Sequence, residues 1–177
     1  MQNRFIMTAF GKDRPGIVAD VTRMLYENGC NLEDTAMTML ADEFTLNLLF
    51  SCNQEGVEET LLQECERLDL DKEISAFIRP LPARQAKAPR AAAAATIHVE
   101  GLDQAGIVYK ISQYLAKNAV NIVDLKSQAQ ASPESGTAVY LMDIHVQLPA
   151  GTALRAIEEG LATVADELHV EISLSQG

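Results

Sequence analysis

The chain has 177 residues, 47% of them hydrophobic, and a formal net charge of -11. That length admits one ordinary domain or two small ones, and so acidic a balance excludes the positive footprint that direct nucleic-acid binding needs. Cys30, Cys52 and Cys65 stand in no paired framework, no stretch reaches the length of a membrane span, and the first residues alternate instead of forming a leader. A reducing cytoplasm is therefore the expected setting.

Residues 4–10 alternate, with Phe5, Met7 and Ala9 on one side and Ile6, Thr8 and Phe10 on the other, which predicts a strand ended by Gly11. Asp13 can cap the helix that follows, and Pro15 suits its first turn. That helix is expected over 15–28, with an apolar stripe at Ile17, Val21, Met24 and Leu25 and with Gly29 as the left-handed residue closing it. A strand over 31–40, a turn at Ala41, Asp42 and Glu43, and a strand over 44–51 come next, the last with Phe44, Leu46, Leu48 and Phe50 inward. Val57, Leu61, Cys65 and Leu68 mark a second helix, and Ile74, Ala76 and Ile78 a fourth strand. The order βαββαβ has one compact solution, a four-stranded antiparallel sheet with both helices on one face.

The segment 81–95 is rich in Pro, Ala and basic residues and reads as a linker, with domains at 1–80 and 96–177. The second domain repeats the first. GKDRPGIVADVTRMLYENGCNLED, residues 11–34, aligns without a gap with GLDQAGIVYKISQYLAKNAVNIVD, residues 101–124. A strand containing Ile97 and Val99, a helix over 104–117, a strand over 121–131 and a turn over 132–136 are expected. Then Val139, Leu141, Asp143 and His145 share one face of a strand, while Tyr140, Met142, Ile144 and Val146 share the other. A helix with Leu154, Ile157, Leu161, Val164 and Leu168, a strand with Val170, Ile172 and Leu174, and a frayed end from Ser175 complete the copy. A domain of this size has a thin core. The copies are expected to lean on each other or on a second chain, as in a homodimer, with sheets meeting edge to edge.

No catalytic constellation is evident: Gly11 and Gly16 do not make a phosphate loop, and no Ser or Cys has a readable base. No cysteine has metal-ligand spacing. His98 and His145 fall on neighbouring strands, where a metal or proton-transfer site competes with the blander reading of half-exposed strand histidines. The turn before each first helix says more. Its second glycine removes a side chain where helix N–H groups point outward, so a small carboxylate can approach. Asn31 and Asn121 open the next strand, with Asp34 and Asp124 three residues on, and an amide beside a carboxylate suits a free amino acid. The competing reading is structural: Asp13 and Asp103 as caps, Gly16 and Gly106 as close helix–sheet contacts, the Asn residues as turn formers.

GKDRPGIV followed by GCNLED, the EFTLNLLF strand and the βαββαβ order resemble the ACT domain in both copies. Two copies without further domains resemble the glycine cleavage system transcriptional repressor family. The resemblance implies ferredoxin-like folds that pair through their sheets and hold an amino acid at the interface, without a cofactor or catalysis. Carried onto this chain, the binding residues are Asp13, Arg14, Pro15, Gly16 and Ile17 with Asn31 and Asp34, and Asp103, Gly106 and Ile107 with Asn121 and Asp124. It also implies glycine as the signal and contact with a transcriptional activator protein instead of DNA. The second copy departs from the motif, with Gln104 and Ala105 in place of Arg14 and Pro15.

Overall fold

The computed structural model describes residues 3–54, 56–82, 93–131 and 136–176. The chain divides into two compact units. The predicted linker at 81–95 and the predicted turn at 132–136 fall for the most part outside the described residues, as does Gly177.

In the first unit the order is β1 (Asn3–Lys12), α1 (Ile17–Glu27), β2 (Cys30–Leu40), β3 (Glu43–Cys52), α2 (Val57–Lys72) and β4 (Ser75–Leu81). The sheet runs β2-β3-β1-β4 with every neighbour antiparallel. Alternation decides which face is wet. Phe5, Met7 and Ala9 of β1 and Phe44, Leu46, Leu48 and Phe50 of β3 are buried, with the Phe5 and Phe50 rings stacked at 5.5 Å. Onto that face α1 lays Ile17, Val21, Met24 and Leu25, and α2 lays Val57, Leu61, Cys65 and Leu68. Each large apolar side chain buried this way stabilises the unit by about 1.5–3 kcal/mol relative to its exposed state.

The second unit repeats the plan with β5 (Ala93–Leu102), α3 (Ile107–Lys117), β6 (Asn121–Ala131), β7 (Ala138–Leu148), α4 (Leu154–Leu168) and β8 (Val170–Gln176). Its sheet runs β6-β7-β5-β8. Met142, Ile144 and Val146 of β7 face the core, while Asp143 and His145 face water. Both units are therefore ferredoxin-like: a four-stranded antiparallel sheet flanked by two helices.

Three local expectations change. Gly11 does not end its strand, since β1 continues to Lys12. Glycine is required there because a Cβ would sit 2.7 Å from the Glu73 carbonyl oxygen, at the entry to β4. Gly101 meets Val170 in the same way, at 2.5 Å. Ala93, Ala94 and Ala95 pair with Leu148, Gln147 and Val146 as part of β5, so the strand reaches back into the expected linker. Ser175 and Gln176 are likewise held in β8 opposite Thr96 and Ala95 instead of fraying.

Candidate functional site

The turn between β1 and α1 is exposed from Lys12 to Gly16, and Ile17 drops into the core with 2% of its surface accessible. Ile17 and Ile107 are thus anchors of their helices, offering backbone but not side chain to any ligand. The helix does not start at Pro15. It starts at Ile17, with Gly16 as N-cap at φ 94 and ψ -6, and Gly106 repeats this at φ 99 and ψ -5. A left-handed N-cap demands glycine, since any Cβ there is strained. The glycine is not a close helix–sheet contact: only Arg14 Nη1, at 3.9 Å, lies within 4 Å of a Cβ built on Gly16, and nothing lies that near Gly106.

Asp13 and Asp103 are not helix caps. No side chain caps α1 or α3. Instead the Asp13 N–H donates to the Asp42 carbonyl (2.9 Å) and the Asp103 N–H to the Ala138 carbonyl (3.1 Å), tying each turn to the far end of its β2–β3 or β6–β7 hairpin. Arg14 folds over the helix start. Its Nη2 meets Asp20 Oδ2 at 2.9 Å, and Lys72 approaches the same carboxylate at 3.9 Å. The hydrogen bond from Arg14 is the main reason the Asp20 carboxyl is held below the usual carboxylate range, with burial opposing and Lys72 assisting. In the second unit Gln104 donates through Nε2 to the Leu168 carbonyl at the end of α4.

Asn31 and Asp34 stand on β2, and their face is set by a bulge. Asn31 pairs with Ser51 and Asp34 with Leu49, leaving Glu33 as the extra residue. Simple alternation puts residues three apart on opposite faces, whereas the bulge brings both to the face away from the helices. Asn121, opposite Gln147, and Asp124, opposite His145, repeat this around a second bulge. Asp34 Oδ1 accepts from the Thr35 N–H at 2.8 Å, and Asp124 Oδ2 lies 3.5 Å from both His145 Nδ1 and Lys126 Nζ.

The two halves of the expected site are not brought together within a unit. Both β1 and β2 run antiparallel to β3, so they run parallel to each other, and α1 carries the chain back across the sheet. Asn31 stands level with Arg4 through their shared partner Ser51, while the 13–17 turn follows Lys12 at the other end of β1. Eight strand steps separate those levels, about 26 Å at roughly 3.3 Å per residue. The second unit has the same separation of Asn121 from the 103–107 turn, because Asn121 stands level with Ala94.

His98 and His145 each lie beside a carboxylate. His98 Nδ1 is 2.5 Å from Asp143 Oδ1 and its Nε2 is 3.3 Å from Ser175 Oγ. His98 and Asp143 border an open hollow of about 580 Å³ on the sheet face, lined also by Glu100 and Glu171. Among the described residues no group of three or more His, Cys, Asp or Glu side chains is arranged to hold a metal ion. Among them, too, no helix is long and apolar enough to cross a membrane.

Comparison with known proteins agrees with this architecture. The ACT domain family matches residues 3–75. The glycine cleavage system transcriptional repressor of Escherichia coli (strain K12) is 29% identical over 181 residues, spanning 98% of this chain and 90% of that protein. A UPF0237 protein of Neisseria meningitidis (serogroup A) is 34% identical over 74 residues, which is 39% of this chain and 82% of the relative. Among solved structures, an unknown protein from Galdieria sulphuraria superposes with a TM-score of 0.78 at 26% identity, covering 100% of this chain and 99% of its own. A putative glycine cleavage system transcriptional repressor shares the fold with a TM-score of 0.70 at 24% identity, covering 100% of this chain and 98% of its own. With the ACT match in its first unit, the same topology repeated in its second, and a repressor similar along nearly its whole length, the chain has a tandem ACT-domain architecture that resembles the glycine cleavage system transcriptional repressors.

Proposed function

We propose that this protein is an amino-acid-responsive regulator that works through protein contacts, with glycine as its signal and a transcriptional activator as its partner. The observation that carries the reading is the similarity to a transcriptional repressor across 98% of the chain. The turn chemistry supports it. Gly16 opens the start of α1 without a side-chain cap, and a helix N-terminus favours a carboxylate. The charge of -11 points the output toward a protein instead of nucleic acid.

The separation of the 13–17 turn from Asn31 adds a requirement. A ligand touching both draws them from two different ACT units, with Asp13, Arg14, Pro15, Gly16 and Ile17 on one and Asn31 and Asp34 on the other. The residues Asp103, Gly106, Ile107, Asn121 and Asp124 form the corresponding second set.

Thermal-shift titration with each amino acid tests the ligand, because binding to the native state alone must raise its stability. Capture of protein partners with and without glycine tests the output; coupling of about 1–3 kcal/mol changes partner affinity roughly 5–150-fold. A second reading, a protein-binding ACT module without a ligand, is favoured by the internal partners of Arg14 and Asp34. No shift with any amino acid at millimolar concentration, together with glycine-independent capture, decides for that reading.

A further inference from the structure

We propose that Cys30 and Cys52 are a redox-active pair that closes to an intramolecular disulfide across β2 and β3. The sequence places these thiols far apart, but the sheet register sets them directly opposite each other at the end of the hairpin. Paired residues of antiparallel strands have Cα atoms about 4.5–5.5 Å apart. Disulfides accept Cα separations of roughly 4.4–6.8 Å, so the bond can close without moving the backbone.

The side chains are already turned toward each other. Both thiols donate to one acceptor, the Asn28 carbonyl, at 3.8 Å from Cys30 and 3.7 Å from Cys52. Burial first, and then the hydrogen bond and charge of Cys52, push the Cys30 thiol up to about 12. Access divides the roles. Cys30 is half-buried at the mouth of the pair, whereas Cys52 is only 2% exposed. The third cysteine, Cys65, is buried on α2 and paired with neither.

The reaction is exchange with a disulfide donor such as glutathione disulfide. The Cys30 thiolate attacks one sulfur of the donor, the donor S–S bond breaks, and one glutathione leaves as thiolate and takes up a proton. The Cys52 thiolate then attacks Cys30 Sγ of the mixed disulfide and expels the second glutathione. Two protein thiols are oxidised and one glutathione disulfide becomes two glutathione thiols. The scarcity of Cys30 thiolate at neutral pH makes the first step slow, so incubation must be long. The new bond fixes the first residue of an edge strand whose Leu32, Met37 and Met39 are all at least 40% exposed.

The full chain, reduced and freed of reductant, is incubated folded with glutathione disulfide, alkylated, digested and read by mass spectrometry. The expected product links the Cys30 and Cys52 peptides, leaves Cys65 alkylated, and melts at a higher temperature than the reduced protein. In Cys52→Ala the second step is blocked, so Cys30 accumulates as the glutathione mixed disulfide. Cys65→Ala forms the same link as the parent. Alkylation of both Cys30 and Cys52 in the parent, a stable mixed disulfide on Cys30 despite Cys52, or a link that appears only in denaturant each overturns the proposal.

Discussion

Gly11 and Gly16 sit five residues apart in one motif, and the structure holds them as glycine for opposite reasons. At Gly11 the obstacle is space: a Cβ would lie 2.7 Å from the Glu73 carbonyl oxygen and 3.4 Å from the Phe44 ring, with backbone dihedrals open to any residue. Overpacking of this kind costs about 1–3 kcal/mol, offset by about 0.4–1 kcal/mol from the stiffer unfolded chain, for a net loss near 1–2 kcal/mol in Gly11→Ala. At Gly16 there is room, but φ is 94. A left-handed Ala costs about 1–2 kcal/mol and recovers the same unfolded-state offset, for a net loss of about 1 kcal/mol. The two alanine variants therefore look alike, and asparagine separates them. Asn visits the left-handed region readily, so Gly16→Asn recovers most of the loss, whereas Gly11→Asn adds atoms to a site with no room. Circular dichroism melts provide the assay, since about 1 kcal/mol moves a unit of this size by roughly 4–8 °C. A Gly16→Asn protein melting as low as Gly16→Ala, or a Gly11→Asn protein as stable as the parent, refutes the reasoning.

Three further variants test single features. Ala119 occupies at φ 55 the position that Gly29 fills in the first unit, so Ala119→Gly should stabilise the second unit by about 0.5–1 kcal/mol in urea titration. A Cβ on Gly160 would meet the Tyr114 hydroxyl at 2.0 Å, so Gly160→Ala should lose about 1–3 kcal/mol by forcing the ring from between α3 and α4, read as a lower melting temperature. Asp20 has a folded-state value below its unfolded one because Arg14 donates to it; its contribution is present above about pH 4 and lost as pH falls through the folded value. The stability gap between the parent and Asp20→Asn should therefore close on acidification below about pH 4 in low salt.

The repeat, the apolar stripes and the strand alternation made the fold legible, because each records which side of an element is dry. Val21, Leu25, Phe44 and Leu48 report burial through spacing alone, and the structure places them in the core. What spacing does not carry is direction and register. Asn31 follows the helix closely in sequence, yet a parallel β1 and β2 joined by α1 must put it at the far end of the sheet from Gly16. The bulge at Glu33 was equally hidden, since a strand with one extra residue alternates like any other until its partner is known. Asp13 resembled a cap because Asp commonly caps, but a glycine N-cap displaced it by three residues. The Cys30–Cys52 pairing depends wholly on the register of β2 against β3.

The second copy departs from the motif at both members of the ion pair that the first copy forms, and that yields the last prediction. In the first unit Arg14 is held by Asp20. The repeat aligns Asp20 with Lys110, which pairs with Glu167 at 3.4 Å, and aligns Arg14 with Gln104, which is fastened to the Leu168 carbonyl. Restoring arginine alone by Gln104→Arg therefore sets one cation beside another and removes the tie to α4, so it should destabilise the second unit. Adding Lys110→Asp rebuilds the pair seen in the first unit, and the double variant should be more stable than the sum of the single changes by about 0.2–1 kcal/mol, the range for exposed ion pairs. Urea titration of the parent, both single variants and the double variant measures that coupling, which should shrink with added salt. Additive effects would mean that Gln104 and Lys110 changed independently. Coupling would mean that the second turn exchanged an ion-paired cation at the helix start for a fixed amide, and on the proposed reading ligand response then rests with the first unit. Calorimetric titration with glycine separates those consequences: the parent should bind through one set of loops, and the double variant, given a second arginine at a glycine-capped helix start, should gain binding events per chain.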